Sequence, residues 1–404
     1  MNSVTAAAPV FCPEAVAVLN REPVSSEHIY LGFRTRLLVT NKEQETYFRQ
    51  ACGVARFAYN WALEEWRRMY EEHKQDPSKS LPNSRILLKK LTSIKRLEYP
   101  WMLDVTKCAV QYAIFDLEQA FRNFFQNREH FGYPKPRRKF LDDSFRMSAH
   151  DTRVEGDRIW IPKLGWVRMH EPLRFQNAKI LFVTVSRVAD HWYVGFDLDL
   201  PNLSHLKPGE NRGRVGLDLG IKHMVVLSDG RYFDAPKPLR ENLDKLKRLQ
   251  KQLARCELGS NNREELRRRI GRLHERIANI RRDALDKVTT YIASHYSVVV
   301  MEDLNVKGMA ANHRLALSIL DVGFGEFRRE LEYKMKLRGG ELIIADRWFP
   351  SSRLCRFCHG KNEELTLADR EWTCPHCGRF IADRDLNAAL NLVHYPEIWG
   401  ELCS

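Results

Sequence analysis

The chain's 404 residues, 44% hydrophobic and 29% charged, have the composition of an ordinary globular protein with room for two or three domains. Lys plus Arg number 65 against 52 acids, and the net charge of +13 points to a polyanionic partner, foremost nucleic acid. No uninterrupted apolar stretch is long enough to span a bilayer, and nine cysteines of which only four are tightly spaced do not make a disulfide framework.

The N-terminal stretch MNSVTAAAPVFCPEAVAVLNREP lacks a basic start and carries Pro9, Pro13 and Glu14 among its apolar residues. It reads as a loosely ordered extension over 1–28 and not as a secretion signal, which leaves the cytoplasm as the expected location. A strand is expected over 29–39. From about Lys42 to His73 the period becomes helical, with Phe48, Cys52, Ala55, Tyr59 and Leu63 on one face. QDPSKSLPNS (75–84) is a loop. Helices follow at about 84–95 and 105–129, the second rich in aromatics: Tyr112, Phe115, Phe121, Phe124 and Phe125. GYPKPRRKF (132–140) is a basic, proline-stiffened linker. Residues 145–200 are β-rich, with short runs of β-branched and aromatic residues between polar turns. Strands on both sides of a helical block imply a β-module with a helical insertion.

A polar boundary, 201–214, opens the second half. VGLDLGI, HMVVLS and RYFDA read as three successive strands. Residues 240–287 hold 15 Lys/Arg and 8 Asp/Glu, a net of +7. Leu243, Leu246, Leu249 and Leu253, and after a GSNN break Leu266, Ile270, Leu273, Ile277 and Ile280, keep helical spacing. The segment is a helical hairpin with an apolar seam and a basic outer face, suited to nucleic acid or simply to solvent. SVVVMEDL (297–304) is a buried-type strand ending in acids; a helix over 320–337, a strand at 341–345 and a final helix from about Arg384 complete the series.

Three acidic positions carry candidate chemistry. Asp218 lies within an apolar strand, close to Gly216 and Gly220, where a carboxylate is costly unless paired and where glycines admit a backbone or ligand. Glu302 ends an apolar run, and Asp303 beside it points to the other face. Asp383 and Asp385 open the last helix, where capping alone would account for an aspartate. Converging carboxylates of this kind bind two magnesium ions about 4 Å apart and hydrolyse phosphodiesters. Cys355, Cys358, Cys374 and Cys377 form two CxxC pairs with fifteen residues between them, the spacing of a four-thiolate zinc ribbon. Four thiolates leave no open coordination position, so the ribbon's role is architectural.

GLDLGIK (216–222), VVVMEDL (298–304), NHRLALSILDVGFGEFRRELEYK (312–334), FPSSRLCRFC (349–358), EWTCPHCG (371–378) and DRDLNAALN (383–391) together closely resemble TnpB, the family of insertion-sequence-encoded RNA-guided DNA nucleases related to compact type V CRISPR effectors. The resemblance runs from about Tyr30 to Leu392. It is dense in the second half and thinner in the first, where it rests on ACGVARFAYNWALE (51–64) and the aromatic helix. It implies a RuvC-like nuclease of RNase H fold over 212–349 and 379–395, with a zinc ribbon (350–378) inserted into it and a tail at 396–404. It also implies a β-barrel wedge over 29–40 and 140–205, with a helical recognition module (41–139) inserted. The family's catalytic, magnesium-binding acids map onto Asp218, Glu302 and Asp385, the last chosen over Asp383 because the motif places the ligand directly before x-Asn-Ala-Ala. The partners implied are a guide RNA and double-stranded DNA flanked by a short motif, bound by a monomer in the ribonucleoprotein.

One departure is local: the first knuckle, CRFCHG, has His359 where the family commonly has glycine, which strains that turn. Alternative activities are a nuclease-silent RNA-guided repressor or transposition regulator, a DNA-joining transposase, and a structure-selective nuclease that needs no RNA. Silent relatives lose catalytic acids, and all three are present here.

Overall fold

The computed structural model describes residues 28–175, 178–201, 213–313, 315–366 and 368–398. The N-terminal extension, most of the 201–214 boundary and the end of the tail lie outside the described residues. The chain divides into two compact units, Met1–Asn202 and Leu203–Ser404.

In the first unit, strand β1 (His28–Leu38) is followed by helices α1 (Lys42–Gln75), α2 (Ser84–Glu98) and α3 (Lys107–Gln126), with a 3-10 turn at Pro100–Asp104. Six strands come next: β2 (Ser144–Ser148), β3 (Arg153–Glu155), β4 (Arg158–Ile161), β5 (Gly165–Met169), β6 (Lys179–Val188) and β7 (His191–Pro201). Among the described residues they form one antiparallel sheet in the order β2-β6-β7-β1-β5-β4-β3. The first strand thus enters the middle of a sheet made mostly by residues more than a hundred positions later, and the helical block is an insertion. Alternation sets its faces: Phe33 and Leu37 are buried, Arg34 and Arg36 exposed. Asn41 starts α1 by accepting from the Gln44 N–H at 2.8 Å. Phe48 of α1 packs on Trp192 of β7 at 5.1 Å between ring centres, and Trp66 stacks on Phe121 of α3 at 4.5 Å. The basic segment 132–140 is docked. Asn60 brackets the backbone of Arg137 from both sides, and the Arg137 guanidinium bonds Asp116 at 2.8 Å while covering the Tyr59 ring.

The second unit begins with β8 (Arg214–Leu219), β9 (His223–Leu227) and β10 (Tyr232–Asp234), then α4 (Pro238–Arg255) and α5 (Asn261–His295). There follow β11 (Val298–Glu302), α6 (Val306–Ala311), α7 (Ala316–Val322), α8 (Phe324–Leu337) and β12 (Glu341–Ala345). A hairpin of β13 (Trp372–Thr373) and β14 (Phe380–Ile381) precedes α9 (Arg384–Val393). The main sheet has the order β10-β9-β8-β11-β12. β8 pairs antiparallel with β9 and parallel with β11, and β11 is parallel to β12, so β9 alone runs against the rest. One face of this sheet packs against α5 and α8 through Leu285, Ile292, Phe327 and Leu331; the other carries Val300 and Ala345 against Leu392 of α9.

The helix expected over 320–337 is two helices. Gly323 takes φ +78°, a left-handed turn that glycine makes without a Cβ clash, and ends α7 before α8 begins. The turn sets Asp321, 1% exposed, to accept from the N–H groups of Leu239 and Arg240 and cap the start of α4. The charged hairpin closes as its spacing implies, with Leu246, Leu273 and Ile277 in its seam.

Candidate active site

Strand parity brings the acids of β8 and β11 to one face. Val215, Leu217 and Leu219 face α5 and α8, so Asp218 faces the α9 side. Val299 and Met301 share the first face, Val300 packs with Leu392, and Glu302 therefore points the same way as Asp218. The two strands are paired in parallel register up to Leu217 and Met301, one residue short of the acids. Gly216 lets α9 lie directly on the strand: a Cβ there would stand 2.0 Å from the Ala389 carbonyl oxygen and 2.6 Å from the Val393 nitrogen. Asp385, in the first turn of α9, arrives at the same end of the sheet.

The Asp218 and Glu302 carboxyls stand close enough at the ends of their paired strands for each to act on the other's titration. Burial, then the charges of Glu302 and Asp385, push Asp218 well above the usual carboxylate range. Burial also raises Glu302, against the pull of the Ser351 hydroxyl, which donates to Glu302 Oε1 at 2.6 Å. Asp385, whose charge acts on both, is held by the Arg370 guanidinium at 3.1 and 3.3 Å. Arg384 fastens the segment that carries Arg370, donating to the carbonyls of Thr366 at 3.1 Å and Asp369 at 3.2 Å. Three carboxylates at one sheet end, two of them raised by burial, offer the hard oxygen donors that a divalent cation takes.

The neighbouring aspartates divide their work. Asp383 is the N-cap of α9, accepting from the N–H groups of Asp385 at 2.8 Å and Leu386 at 3.0 Å and from the Tyr232 hydroxyl at 2.9 Å. Burial would raise its pKa, but these donors outweigh burial and hold Asp383 below the usual carboxylate range. Asp303 turns to the other face, bonded to Arg328 at 2.7 Å and Arg347 at 2.5 Å.

The four cysteines meet. The sulfurs of Cys355, Cys358, Cys374 and Cys377 all lie within 4.8 Å of one another, and among the described residues they are the one such group of three or more possible metal ligands drawn this close. Leu365, Trp372 and Ile381 give the ribbon a small core of its own. The backbone N–H of His376 points at Cys374 Sγ at 3.4 Å. Burial pushes that thiol up, but the N–H groups of Cys377 and His376 prevail and bring it down to about 6. His359, directly after the first CxxC, has φ +55°, and Gly378, directly after the second, has φ +69°. The two knuckles make the same left-handed turn, with histidine in one and glycine in the other.

Sequence reasoning did not find Ser351, Arg370, Arg384 or Tyr232. Their partners lie from 1 to 151 positions away, and no spacing rule links a serine before a CxxC to a strand-end glutamate. The two buried asparagines of DRDLNAALN, Asn387 and Asn391, carry a readable signal, being i, i+4 on the inner face of the last helix.

Residues 197–313 match a family described as probable transposase (the OrfB proteins of IS605 elements), residues 324–392 match a Cas12f1-like TNB domain, and residues 29–75 match a helix-turn-helix domain of the same OrfB group. That last stretch is here a strand followed by one long helix. The Escherichia coli (strain K12) protein InsQ, named provisionally as an RNA-guided DNA endonuclease, is 34% identical over 367 residues, covering 87% of this chain and 89% of that one. A Streptomyces pristinaespiralis protein with the same provisional name is 33% identical over 376 residues, covering 91% and 89%. Among solved structures, a Cas12f1 in complex with sgRNA and target DNA shares the fold, with a TM-score of 0.53 at 15% identity over 88% of this chain and 83% of that one. The class is thus that of the mixed α/β proteins built like the compact Cas12f effectors. The chain belongs to the TnpB family, the OrfB proteins of IS605-type insertion sequences.

Proposed function

We propose that this protein is an RNA-guided DNA endonuclease of a transposable element, cutting DNA that matches a guide RNA and lies beside a short flanking motif. The observation that carries the reading is the convergence of Asp218, Glu302 and Asp385 at one end of the second unit's sheet. The strand order supports an RNase H-type, RuvC-like fold: third, second, first, fourth and fifth strands of the unit, with the second alone reversed. Asp218, Glu302 and Asp385 would hold magnesium, which activates water and steadies the leaving oxygen of a phosphodiester. Asp218 and Glu302, held side by side, provide one half of that donor set and Asp385 the other. Tyr232 and Asp383 fix the first turn of α9 and thereby the position of Asp385. The four cysteines would hold one structural zinc.

The first unit is the wedge with its inserted recognition helices, which with the basic hairpin of α4 and α5 takes the guide RNA and the DNA backbone. The particle is a monomeric ribonucleoprotein acting in the cytoplasm; among the described residues no helix is long and apolar enough to cross a membrane. Sequencing of RNA that copurifies with the protein tests the reading. A discrete RNA species with a variable segment, and magnesium-dependent cutting of DNA matching that segment and not of mismatched DNA, are the expected results. Cutting that ignores the RNA's sequence would refute it.

A further inference from the structure

The segment between β12 and the first knuckle does more than lead into the ribbon. Ser351 is 4% exposed, and its hydroxyl donates to Glu302 Oε1 at 2.6 Å. Its backbone is tied to α9, the helix that carries Asp385. The Asn391 amide donates to the carbonyls of Ser351 and Leu354, both at 2.8 Å. The Asn387 amide donates to Leu354 at 2.7 Å and its oxygen accepts from the Arg356 N–H at 3.1 Å. Both asparagines are 1% exposed. Both places call for a donor: leucine at both would leave the Ser351 and Leu354 carbonyls without these partners, and aspartate would set a carboxylate against them. Just beyond, the Cys355 N–H is bonded to the Gly360 carbonyl at 3.1 Å inside the knuckle. Hydrogen bonds and the short backbone between them thus link the first knuckle, through α9, to the glutamate.

Resting on the nuclease reading above, we propose that Ser351 is a positioning residue for Glu302, aiming its carboxylate at the cation shared with Asp218 and Asp385. A glutamate at a strand end has three rotatable bonds. Oriented by a hydroxyl whose own backbone is clamped to the helix bearing Asp385, it meets the cation already aligned. Such a partner changes affinity for the cation and leaves the reacting groups in place.

The test uses the zinc-loaded full chain, freed of RNA because RNA itself binds manganese. Mn²⁺ binding is followed by electron paramagnetic resonance in the parent, Ser351→Ala, Ser351→Thr and Glu302→Ala, with zinc measured by elemental analysis. Ser351→Ala should keep its zinc and its melting behaviour and bind Mn²⁺ about tenfold more weakly. Its guide-RNA complex should need about tenfold more Mg²⁺ for half-maximal cleavage, with the maximal rate close to the parent's. Ser351→Thr, which keeps the hydroxyl, should recover most of the loss. A parent-like Mn²⁺ isotherm in Ser351→Ala, with binding lost in Glu302→Ala, would overturn this inference and leave the nuclease reading standing. Loss of zinc in Ser351→Ala would make its role structural and overturn it as well. Unchanged Mn²⁺ binding in Glu302→Ala would remove the site itself, and this inference with it.

Discussion

At the scale of single residues, the site is a contest between crowding and purpose. Burial raises both the Asp218 and Glu302 carboxyls, with the charges of Glu302 and Asp385 adding to it at Asp218 and that of Asp385 at Glu302, so without a cation the folded chain holds more protons here than the unfolded chain does. The sign follows: for this pair, stability falls as pH rises from the ordinary carboxylate value through the raised one. Asp218→Asn keeps the shape and removes the charge. In magnesium-free buffer at about pH 8 it should melt about 2 °C or more above the parent, the gap closing towards about pH 5. It should also be inactive, so scanning calorimetry and a cleavage assay check the two halves. The aspartates that open α9 separate capping from chemistry. Asp383→Ala should cost on the order of 1 kcal/mol of stability by denaturation and keep substantial activity. Asp385→Ala should keep its stability and lose cleavage; the reverse outcome would move the ligand to Asp383. In the first knuckle, His359→Gly relieves a left-handed residue and should raise stability by about 0.5–1 kcal/mol with zinc content unchanged. Asp218 and Glu302 stand out in the sequence as acids within or ending apolar runs, and the family resemblance groups them. Ser351 and Arg370 do not stand out, because their contacts exist only after a ribbon has folded back over a sheet.

At the scale of elements, periodicity carried the long helices and the apolar strands, since each repeats its pattern several times. It missed what is short or conformational: the 3-10 turn at Pro100–Asp104, the six-residue helix α6, the two-residue strands of the ribbon hairpin and the break at Gly323. Residues 132–140, which read as a basic, proline-stiffened linker, are docked by Asn60 and Asp116. Gly216 shows how an element's placement rests on one missing atom. A glycine near Asp218 signalled a close approach, but only the structure shows that the approaching group is the backbone of α9. Gly216→Ala should cost about 3 kcal/mol, since the obstacle is backbone and cannot swing aside. Pushing α9 outward should displace Asp385 and lower cleavage together with the denaturation midpoint.

At the scale of the whole molecule, local sequence could divide the chain into a β-module with a helical insertion and an α/β half, but could not order either sheet. That β1 sits between β7 and β5, and β8 between β9 and β11, depends on pairings far apart in sequence. The net charge of +13 was legible at once and has a measurable consequence. Affinity for guide RNA should fall steeply as salt rises, because each phosphate neutralised releases counterions, and a flat response would detach the basic hairpin from that role. On the proposed function, Asp218, Glu302 and Asp385 make one metal-dependent cutting centre directed by RNA. The most direct measurement is cleavage of guide-matched double-stranded DNA by the ribonucleoprotein, with and without Mg²⁺, beside the Glu302→Ala variant. The parent should cut only with Mg²⁺, and Glu302→Ala should bind the same RNA and DNA yet cut slower by roughly a thousandfold or more. Cutting without a divalent cation, or a Glu302→Ala variant that cuts like the parent, would contradict the account.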